Sequence, residues 1–232
     1  MSFPRYPAYK HSGVEWLGEV PEHWVVKPLK YLVTLASGGT PSKENLAYWD
    51  GSIPWGSSKD LKADELFDTQ DHISQKAIDD GAATLIPAGS ILTVVCGMIL
   101  RYAFLAAIIR VPMSINQDLK VIRSSGQIAS GYLAWLLRWS SGEVLSRVDE
   151  AGHGTKVLRF DLWLTMMVPV PPVAEQKLIA ESLIKHLQEN VALTDEAHRA
   201  VSLLQERRSA LISAAVTGQI DVRGQAPGAD AA

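Results

Sequence analysis

Pro171-Pro-Val-Ala-Glu-Gln176 opens the stretch that decides the fold, and Gly218 closes it. No proline or glycine occurs from residue 174 to residue 217, a run of 44 residues. Two prolines suit the entry to a helix, because a first-turn residue needs no backbone N–H bond. Glu175 favours the positive end of the helix dipole, and Gly218 fits the left-handed position that ends a helix. The sequence therefore predicts a single helix over residues 171–218, about 66 Å long.

A coiled-coil pattern runs along this helix from Ala180 to Ala215. Apolar and small residues recur at spacings of three and four for about five heptads, and three polar residues interrupt them. Polar residues in such a seam weaken the pairing of two helices but fix its register. The residues predicted to face a partner helix are Leu183, Leu187, Asn190, Thr194, Ala197, Val201, Leu204, Arg208 and Leu211.

The partner of this seam has two interpretations. The helix either lies along its own domain or pairs with another long helix. The rest of the sequence contains no second helical run of comparable length. We therefore predict that the partner helix belongs to another chain.

Composition is ordinary for a globular protein that folds around one core. The chain has 232 residues, of which 47% are hydrophobic and 20% charged. No apolar run is long enough to span a membrane, and the start lacks the pattern of a signal peptide. The single cysteine, Cys96, ends the apolar run that starts at Ile91, so we predict a buried thiol and no disulfide or zinc framework. We expect a cytoplasmic protein.

Charge gives an ambiguous signal. The net charge of −3 argues against a strongly basic nucleic-acid binder. Residues 101–160 nevertheless hold 8 basic and only 4 acidic side chains, whereas the segments on either side are acidic. This excess is either the footprint of a polyanion site or a fluctuation in a small count.

Short elements of both kinds precede the long helix. Ile91 to Cys96 and Leu119 to Ile122 are predicted strands, and Ser74 to Gly81 is a predicted short helix. Ile128 to Arg138 has helical spacing, with its three leucines facing inward. We predict an α+β fold with three parts: a globular domain over residues 1–170, a single long coiled-coil α-helix over residues 171–218, and a tail over residues 219–232 that is flexible at its end.

Several motifs, in a fixed order, carry a family resemblance. They are Gly18-Glu-Val-Pro-Glu-His-Trp24, Gly38-Gly-Thr-Pro-Ser42, Ile53-Pro-Trp-Gly-Ser57, Asn116-Gln-Asp118, Val170-Pro-Pro-Val-Ala-Glu-Gln176 and Leu204-Gln-Glu-Arg-Arg-Ser-Ala-Leu-Ile-Ser-Ala-Ala-Val-Thr-Gly-Gln-Ile220. Together they resemble the DNA-specificity (S) subunits of type I restriction–modification systems, over nearly the whole chain.

The resemblance implies a target recognition domain followed by a long spacer helix. The usual subunit has two such units, reads one DNA half-site with each, and pairs its helices antiparallel. The helices also dock modification subunits, which bring S-adenosylmethionine and methylate adenine, and the complex can include a restriction subunit. This chain has one unit, yet its beginning and ending are typical of a full-length subunit. The resemblance therefore implies a half-length form.

Two antiparallel copies would form a two-fold symmetric homodimer. Identical domains would then read identical half-sites of double-stranded DNA, so an interrupted palindrome is predicted. An alternative of a different class is a coiled-coil assembly factor that binds protein and never touches DNA. A third, weaker alternative is a truncated remnant that folds but lacks partners.

Candidate DNA contacts lie in loops that carry cationic, amide or hydroxyl groups. Each loop also has a purely structural interpretation, such as a turn, a local cap or a bond within the fold. The loop around Gly152-His-Gly-Thr-Lys156 is the favoured contact because it is basic and flanked by glycine. The candidates are Thr40, Ser42 and Lys43; Ser57, Ser58 and Lys59; Arg101 and Tyr102; Asn116 and Gln117; and His153, Thr155, Lys156 and Arg159.

Motifs of catalysis and cofactor binding are missing from the sequence. It has no Gly-x-x-x-x-Gly-Lys-Ser/Thr phosphate loop and no Gly-x-Gly-x-x-Gly dinucleotide turn. It also has no Asn-Pro-Pro-Tyr/Phe or Asp-Pro-Pro-Tyr run, so we do not expect it to methylate adenine itself. Its six histidines show no metal-ligand clustering. We predict a non-catalytic chain that binds no cofactor or metal, with S-adenosylmethionine in a partner subunit.

Overall fold

The computed structural model describes residues 4–223, apart from the side chain of His153. The strands are β1 (Tyr9–His11), β2 (Glu19–Pro21), β3 (Val25–Pro28), β4 (Val33–Ser37), β5 (Trp49–Gly56), β6 (Glu65–Leu66), β7 (Asp71–Ile73), β8 (Ile91–Val94), β9 (Ala106–Ile109), β10 (Ser114–Ile115), β11 (Leu119–Ser124), β12 (Val148–Glu150), β13 (Lys156–Leu158) and β14 (Met167–Val170). The α-helices are α1 (Gln75–Asp79), α2 (Ser130–Trp139), α3 (Ser141–Leu145), α4 (Phe160–Leu164) and α5 (Val173–Val216). Short 3₁₀ turns cover Leu29–Tyr31, Leu46–Tyr48, Met98–Arg101 and Gly152–Gly154. The mixture of elements confirms the predicted α+β class with a long C-terminal helix.

A five-stranded sheet in the order β4-β11-β8-β9-β6 holds the main core. Every residue of β8 and β9 is buried, as expected for short apolar runs that are covered on both faces. Helix α2 packs against β9, and its Leu133, Leu136 and Leu137 are all buried. The predicted strands and the inward leucines are therefore confirmed.

A smaller sheet in the order β10-β5-β7 lies next to the loop that carries Gly38 and Gly39. The backbone N–H of Gly39 donates to the carbonyl of Ile115 at 2.8 Å. A Cβ atom added at Gly38 would lie 2.0 Å from the same carbonyl oxygen. The first glycine is thus required by a close approach of two backbone segments, and this approach sets the loop beside the end of β10.

The first turn of α5 is held by hydrogen bonds from the fully buried Gln176. Its amide nitrogen donates to the carbonyls of Gln127 and Pro171, and its amide oxygen accepts from the backbone N–H of Ala129 at 2.6 Å. Helix α5 has 44 residues and is followed by Gly218 at φ +73°, so the predicted glycine stop is confirmed.

Contacts divide the chain into two compact units, residues 1–180 and residues 181–232. The first unit therefore includes the first two turns of α5 as well as the predicted domain. The predicted tail, residues 219–232, lies outside the described residues from residue 224 onwards. Among the described helices, none has the length and hydropathy to cross a membrane.

Cys96 is less buried than the sequence predicts. Strand β8 ends at Val94, and Cys96 forms an isolated bridge with Val157, so its side chain is half-buried instead of fully buried. Partial burial, and then the nearby Asp118 carboxylate, raise the pKa of its thiol. The thiol is therefore protonated at neutral pH.

Candidate nucleic-acid interface

An open groove of about 600 Å³ brings together three of the predicted loops. We call it the Trp groove. Six of the candidate DNA contacts line it: Thr40, Lys43, Ser57, Lys59, Asn116 and Gln117. The other lining residues are Leu46, Trp49, Trp55 and Asp71. The parallel pairing of β10 with β5 produces this convergence, because it places Asn116 beside Gly56 and the Ser57 loop.

Two of the six polar candidates in the Trp groove are hydrogen-bonded to a carboxylate of the fold. The hydroxyl of Ser57 donates to Asp60 at 3.0 Å, and the Ser57 backbone N–H donates to the same oxygen at 2.8 Å. The amide nitrogen of Asn116 donates to Asp118 at 3.1 Å, and Asn116 is only 7% exposed. For these two residues the geometry favours the structural interpretation.

Gln117 and the two lysines keep free donors. The Gln117 amide oxygen accepts from the Thr40 hydroxyl at 2.7 Å, and its amide nitrogen has no partner among residues 4–223. Lys43 and Lys59 are exposed, and within the described part of the chain neither ammonium has an ion-pair partner. Amide and ammonium donors of this kind suit base edges and phosphates, respectively.

Two tryptophans form one wall of the groove, and sequence reasoning did not assign them to a site. The rings of Trp49 and Trp55 meet edge to face, with centroids 5.2 Å apart. The indole N–H of Trp49 donates to the carbonyl of Ser42 at 3.1 Å, and that of Trp55 to the carbonyl of Gly39 at 3.0 Å. Both bonds tie the loop of residues 38–42 to this wall. Leu46 projects at the rim and is 81% exposed.

A second pocket, of about 440 Å³, lies at the favoured basic loop. Its lining includes Arg101 and Lys156, two of the predicted contacts, together with Glu150. The antiparallel pairing of β12 with β13 closes this loop. Ser42, Ser58, Tyr102, Thr155 and Arg159 are neighbours of the two pockets but do not line them.

Most of the cations of the second pocket and its loop form ion pairs with carboxylates. Lys156 Nζ lies 2.7 Å from Glu150, and this hydrogen bond lowers the pKa of the Glu150 carboxyl. Arg159 binds Asp161 at 2.7 Å and Asp149 at 2.8 Å, and these bonds raise the pKa of its guanidinium. Arg101 is exposed, with its guanidinium 5.9 Å from the centre of the Tyr102 ring. DNA contact by this loop stays a prediction. Its two cations, Lys156 and Arg159, already form ion pairs within the fold.

The basic excess of residues 101–160 is largely neutralised by ion pairs. Arg110 pairs with Glu65, Arg138 with Asp64, and Arg147 with Glu143. Lys156 and Arg159 are also paired. The excess charge along the sequence is thus compensated in three dimensions, which weakens its interpretation as a polyanion footprint.

The predicted coiled-coil residues of α5 are all exposed. They lie in the second unit, where the large side chains of this set are Leu183, Leu187, Val201, Leu204 and Leu211. Ala180, at the start of the pattern, is buried in the first unit instead, and a Cβ atom added at Gly131 would lie 3.5 Å from the Ala180 Cβ atom. The described residues contain no cluster of histidine, cysteine and acidic side chains that could hold a metal.

Comparisons with known proteins agree on one family. The model of the type I restriction modification DNA specificity domain matches residues 21–201. The specificity subunit of the type I restriction enzyme EcoR124I/EcoR124II of Escherichia coli is 30% identical over 203 residues, which cover 86% of this chain and 47% of that subunit. The chain therefore spans about half the length of this curated relative.

Solved structures agree in fold. A chain from a study of complex assembly and conformational transition in a type I system superposes with a TM-score of 0.66 at 15% identity, covering 89% of this chain and 48% of that one. The HsdS subunit of Thermoanaerobacter tengcongensis superposes with a TM-score of 0.53 at 15% identity, covering 80% and 42%. The fold, the motifs and the family match lead to one conclusion: the chain belongs to the type I restriction–modification DNA specificity family.

Proposed function

We propose that the Trp groove is the surface with which this chain reads one DNA half-site. The observation that carries the proposal is the convergence in one open groove of two lysines and the amide nitrogen of Gln117, none of which has a partner among residues 4–223. Lysines at phosphates supply affinity and orientation, while an amide at a base edge supplies sequence discrimination. The groove is built from three separate loops, so its shape can change without disturbing the sheet that supports it.

The chain acts in the cytoplasm as a homodimer through α5, with the two helices antiparallel. The exposed apolar face of α5 in the second unit supports this homodimer. Covering several large apolar side chains with a partner helix removes them from water and stabilises the pair. The length comparison also supports it, because this chain matches about half of a curated specificity subunit, so two copies together approach the length of that subunit. Each copy reads one half-site, and the pair reads an interrupted palindrome.

The dimer is a scaffold for catalytic subunits. Modification subunits that carry S-adenosylmethionine dock on it and methylate adenine, and a restriction subunit joins the same complex. This chain supplies the recognition of the DNA sequence and contributes no catalytic group.

Binding to a DNA duplex at several salt concentrations tests the groove. Replacing Lys43 and Lys59 together with alanine should weaken binding to all sequences and reduce the salt slope by about 1 for each lysine. The matched control is Lys10→Ala, because Lys10 lies in β1 and does not line the groove. The measurement uses the chain alone and in complex with a type I modification subunit.

An unchanged salt slope in the double variant contradicts the groove as the DNA surface. A wild-type complex that binds no duplex even at low salt favours the alternative, an assembly factor that does not touch DNA.

A further inference from the structure

The apolar face of α5 is self-complementary in a single antiparallel register. We propose that two copies pair in that register, with Asn190 of each copy set against Arg208 of the other. This inference rests on the proposed homodimer and specifies how its helices meet. The face, which we call the seam, consists of Leu183, Leu187, Asn190, Thr194, Ala197, Val201, Leu204, Arg208, Leu211 and Ala215.

Antiparallel coiled coils set each first seam position of a heptad against the fourth position of the partner. With the two-fold axis at the level of residue 199, every seam residue meets such a partner. One pair joins two leucines, one joins an alanine and a valine next to the axis, and the two strongly polar residues meet each other. The resulting pairs are Leu183 with Ala215, Leu187 with Leu211, Asn190 with Arg208, Thr194 with Leu204, and Ala197 with Val201.

The polar pair gives the strongest argument for this register. Neither the Asn190 amide nor the Arg208 guanidinium has a partner among residues 4–223. The amide oxygen accepts hydrogen bonds and the guanidinium donates them, so each satisfies the other. Thr194 does not need a partner, because its hydroxyl already donates to the carbonyl of Asn190 at 2.8 Å.

Registers shifted by one heptad lose this match. In one, Asn190 faces Val201 and Arg208 faces Leu183. In the other, Asn190 faces Ala215 and Arg208 faces Ala197. Both leave an amide and a charged group against apolar side chains, and an unpaired polar group in a buried seam is costly. The number of unpaired groups doubles because of the two-fold symmetry.

The residues beside the seam favour the same register independently. In an antiparallel pair, the residue that directly follows the second seam residue of a heptad lies opposite the equivalent residue of the partner helix. In the proposed register the pairs on this flank are centred on residue 198, one residue from the centre of the seam pairs. Ile184 therefore meets Ile212, and both are exposed large apolar side chains in the single chain. A shift of one heptad towards the first alternative would set Ile184 against Gln205 instead. The Ile184–Ile212 pair and the polar pair therefore favour the same alignment.

Disulfide trapping in the full chain tests the register. In a Cys96→Ser background, the variant Leu187→Cys/Leu211→Cys should form a covalent dimer under mild oxidation, seen on a non-reducing gel. The two matched controls are Leu187→Cys/Leu204→Cys and Thr194→Cys/Leu211→Cys, which report the two shifted registers and should remain largely unlinked. Preferential linkage in either control overturns the register while leaving the dimer in place.

Sedimentation of the same variants separates the two levels of the proposal. A chain that is monomeric at micromolar concentration and unlinked in all three variants overturns the homodimer itself and the register with it. A dimer in sedimentation together with linkage in a control overturns only the register.

A charge swap gives a second, independent readout. Asn190→Arg should weaken the dimer by more than about tenfold, because it sets two guanidinium groups against each other. Adding Arg208→Asn to the same chain restores an amide–guanidinium pair with its order reversed, so the dissociation constant should return to within about threefold of the original. A double variant as weak as Asn190→Arg alone contradicts the pairing.

Discussion

Glu175 connects the first turn of α5 to the N-terminal segment of the same unit. Its carboxylate accepts hydrogen bonds from the Tyr6 hydroxyl, from His23 at 2.9 Å and from the Trp24 indole at 3.1 Å. Burial by itself raises the pKa of this carboxyl, but the three hydrogen bonds outweigh burial and lower it below its usual value of 4.5. Burial, and then the hydrogen bond to Glu175, raise the pKa of Tyr6 to about 12.

The lowered pKa predicts a stability that depends on pH. Because the folded state holds Glu175 ionised, its contribution is present above the unfolded value near 4.5 and is lost as the pH falls through the lower folded pKa. Glu175→Gln should therefore destabilise the chain by about 1–3 kcal/mol at neutral pH and by much less in acid. Urea unfolding at both pH values measures this. Glu181→Gln is the control, since Glu181 is exposed and has no partner among the described residues.

A difference between wild type and Glu175→Gln that is the same at neutral and acid pH would contradict this role of the carboxylate.

Gly38 provides a steric test at the base of the Trp groove. A Cβ atom there would lie 2.0 Å from the carbonyl oxygen of Ile115, and backbone cannot move aside cheaply. We expect Gly38→Ala to destabilise the chain by more than about 2 kcal/mol and to impair DNA binding. Gly142→Ala is the matched control, because Gly142 lies in α3 with nothing within 4 Å of the added atom. That control should be neutral or slightly stabilising in thermal unfolding.

If both glycine variants melt at the same temperature, the close approach of the two backbone segments is not a structural requirement.

These residues also show where sequence reasoning stops. The pair Gly38-Gly39 predicted a loop, but its contact with Ile115 is far away in sequence and leaves no periodic trace. The basic loop was recognised from its glycines, whereas the partners of Lys156 and Arg159 depend on the register of the β12–β13 hairpin. Likewise, nothing in the sequence around Trp49 and Trp55 indicates a groove, and only the pairing of β5 with β10 shows that they border one.

At the scale of elements, the sequence was most informative where a period extends over many residues. The long apolar run predicted β8, the three-and-four spacing predicted α2, and the uninterrupted pattern predicted α5 together with its glycine stop. Burial inside an element follows the same periods, because one face of a helix or both faces of a central strand must be apolar. Order and register of the strands in the sheets were not predictable, since they depend on contacts between distant segments.

Two neighbouring leucines of α5 test the seam as an element. Leu203 and Leu204 are 65% and 64% exposed, so a change at either has a similar effect on the single chain. Only Leu204 lies in the seam, because successive residues of a helix point about 100° apart. Leu204→Asp should abolish the dimer, while Leu203→Asp should leave it intact. Analytical ultracentrifugation at micromolar concentration distinguishes them, and an equal loss from both variants would refute the seam.

At the scale of the whole molecule, a net charge of −3 is compatible with DNA binding because charge acts locally. The cations of residues 101–160 are largely paired, whereas Lys43 and Lys59 of the Trp groove have no ion-pair partner among residues 4–223. Two such lysines per copy give modest affinity on their own, since each phosphate contact contributes a limited share. A dimer that holds two grooves on one duplex gains from the high effective concentration of the second groove.

The symmetry of the proposed dimer makes a prediction about the methylated site in cells. If one chain supplies both recognition units, both half-sites must have the same sequence in inverted order. Sequencing of methylated adenines, in cells that contain this chain and a type I modification subunit, should therefore give an interrupted palindrome. Leu204→Asp should remove this methylation, because it separates the two grooves, whereas Leu203→Asp should retain it. A methylated site with two unrelated halves would instead require a second, different recognition unit and would exclude the homodimer.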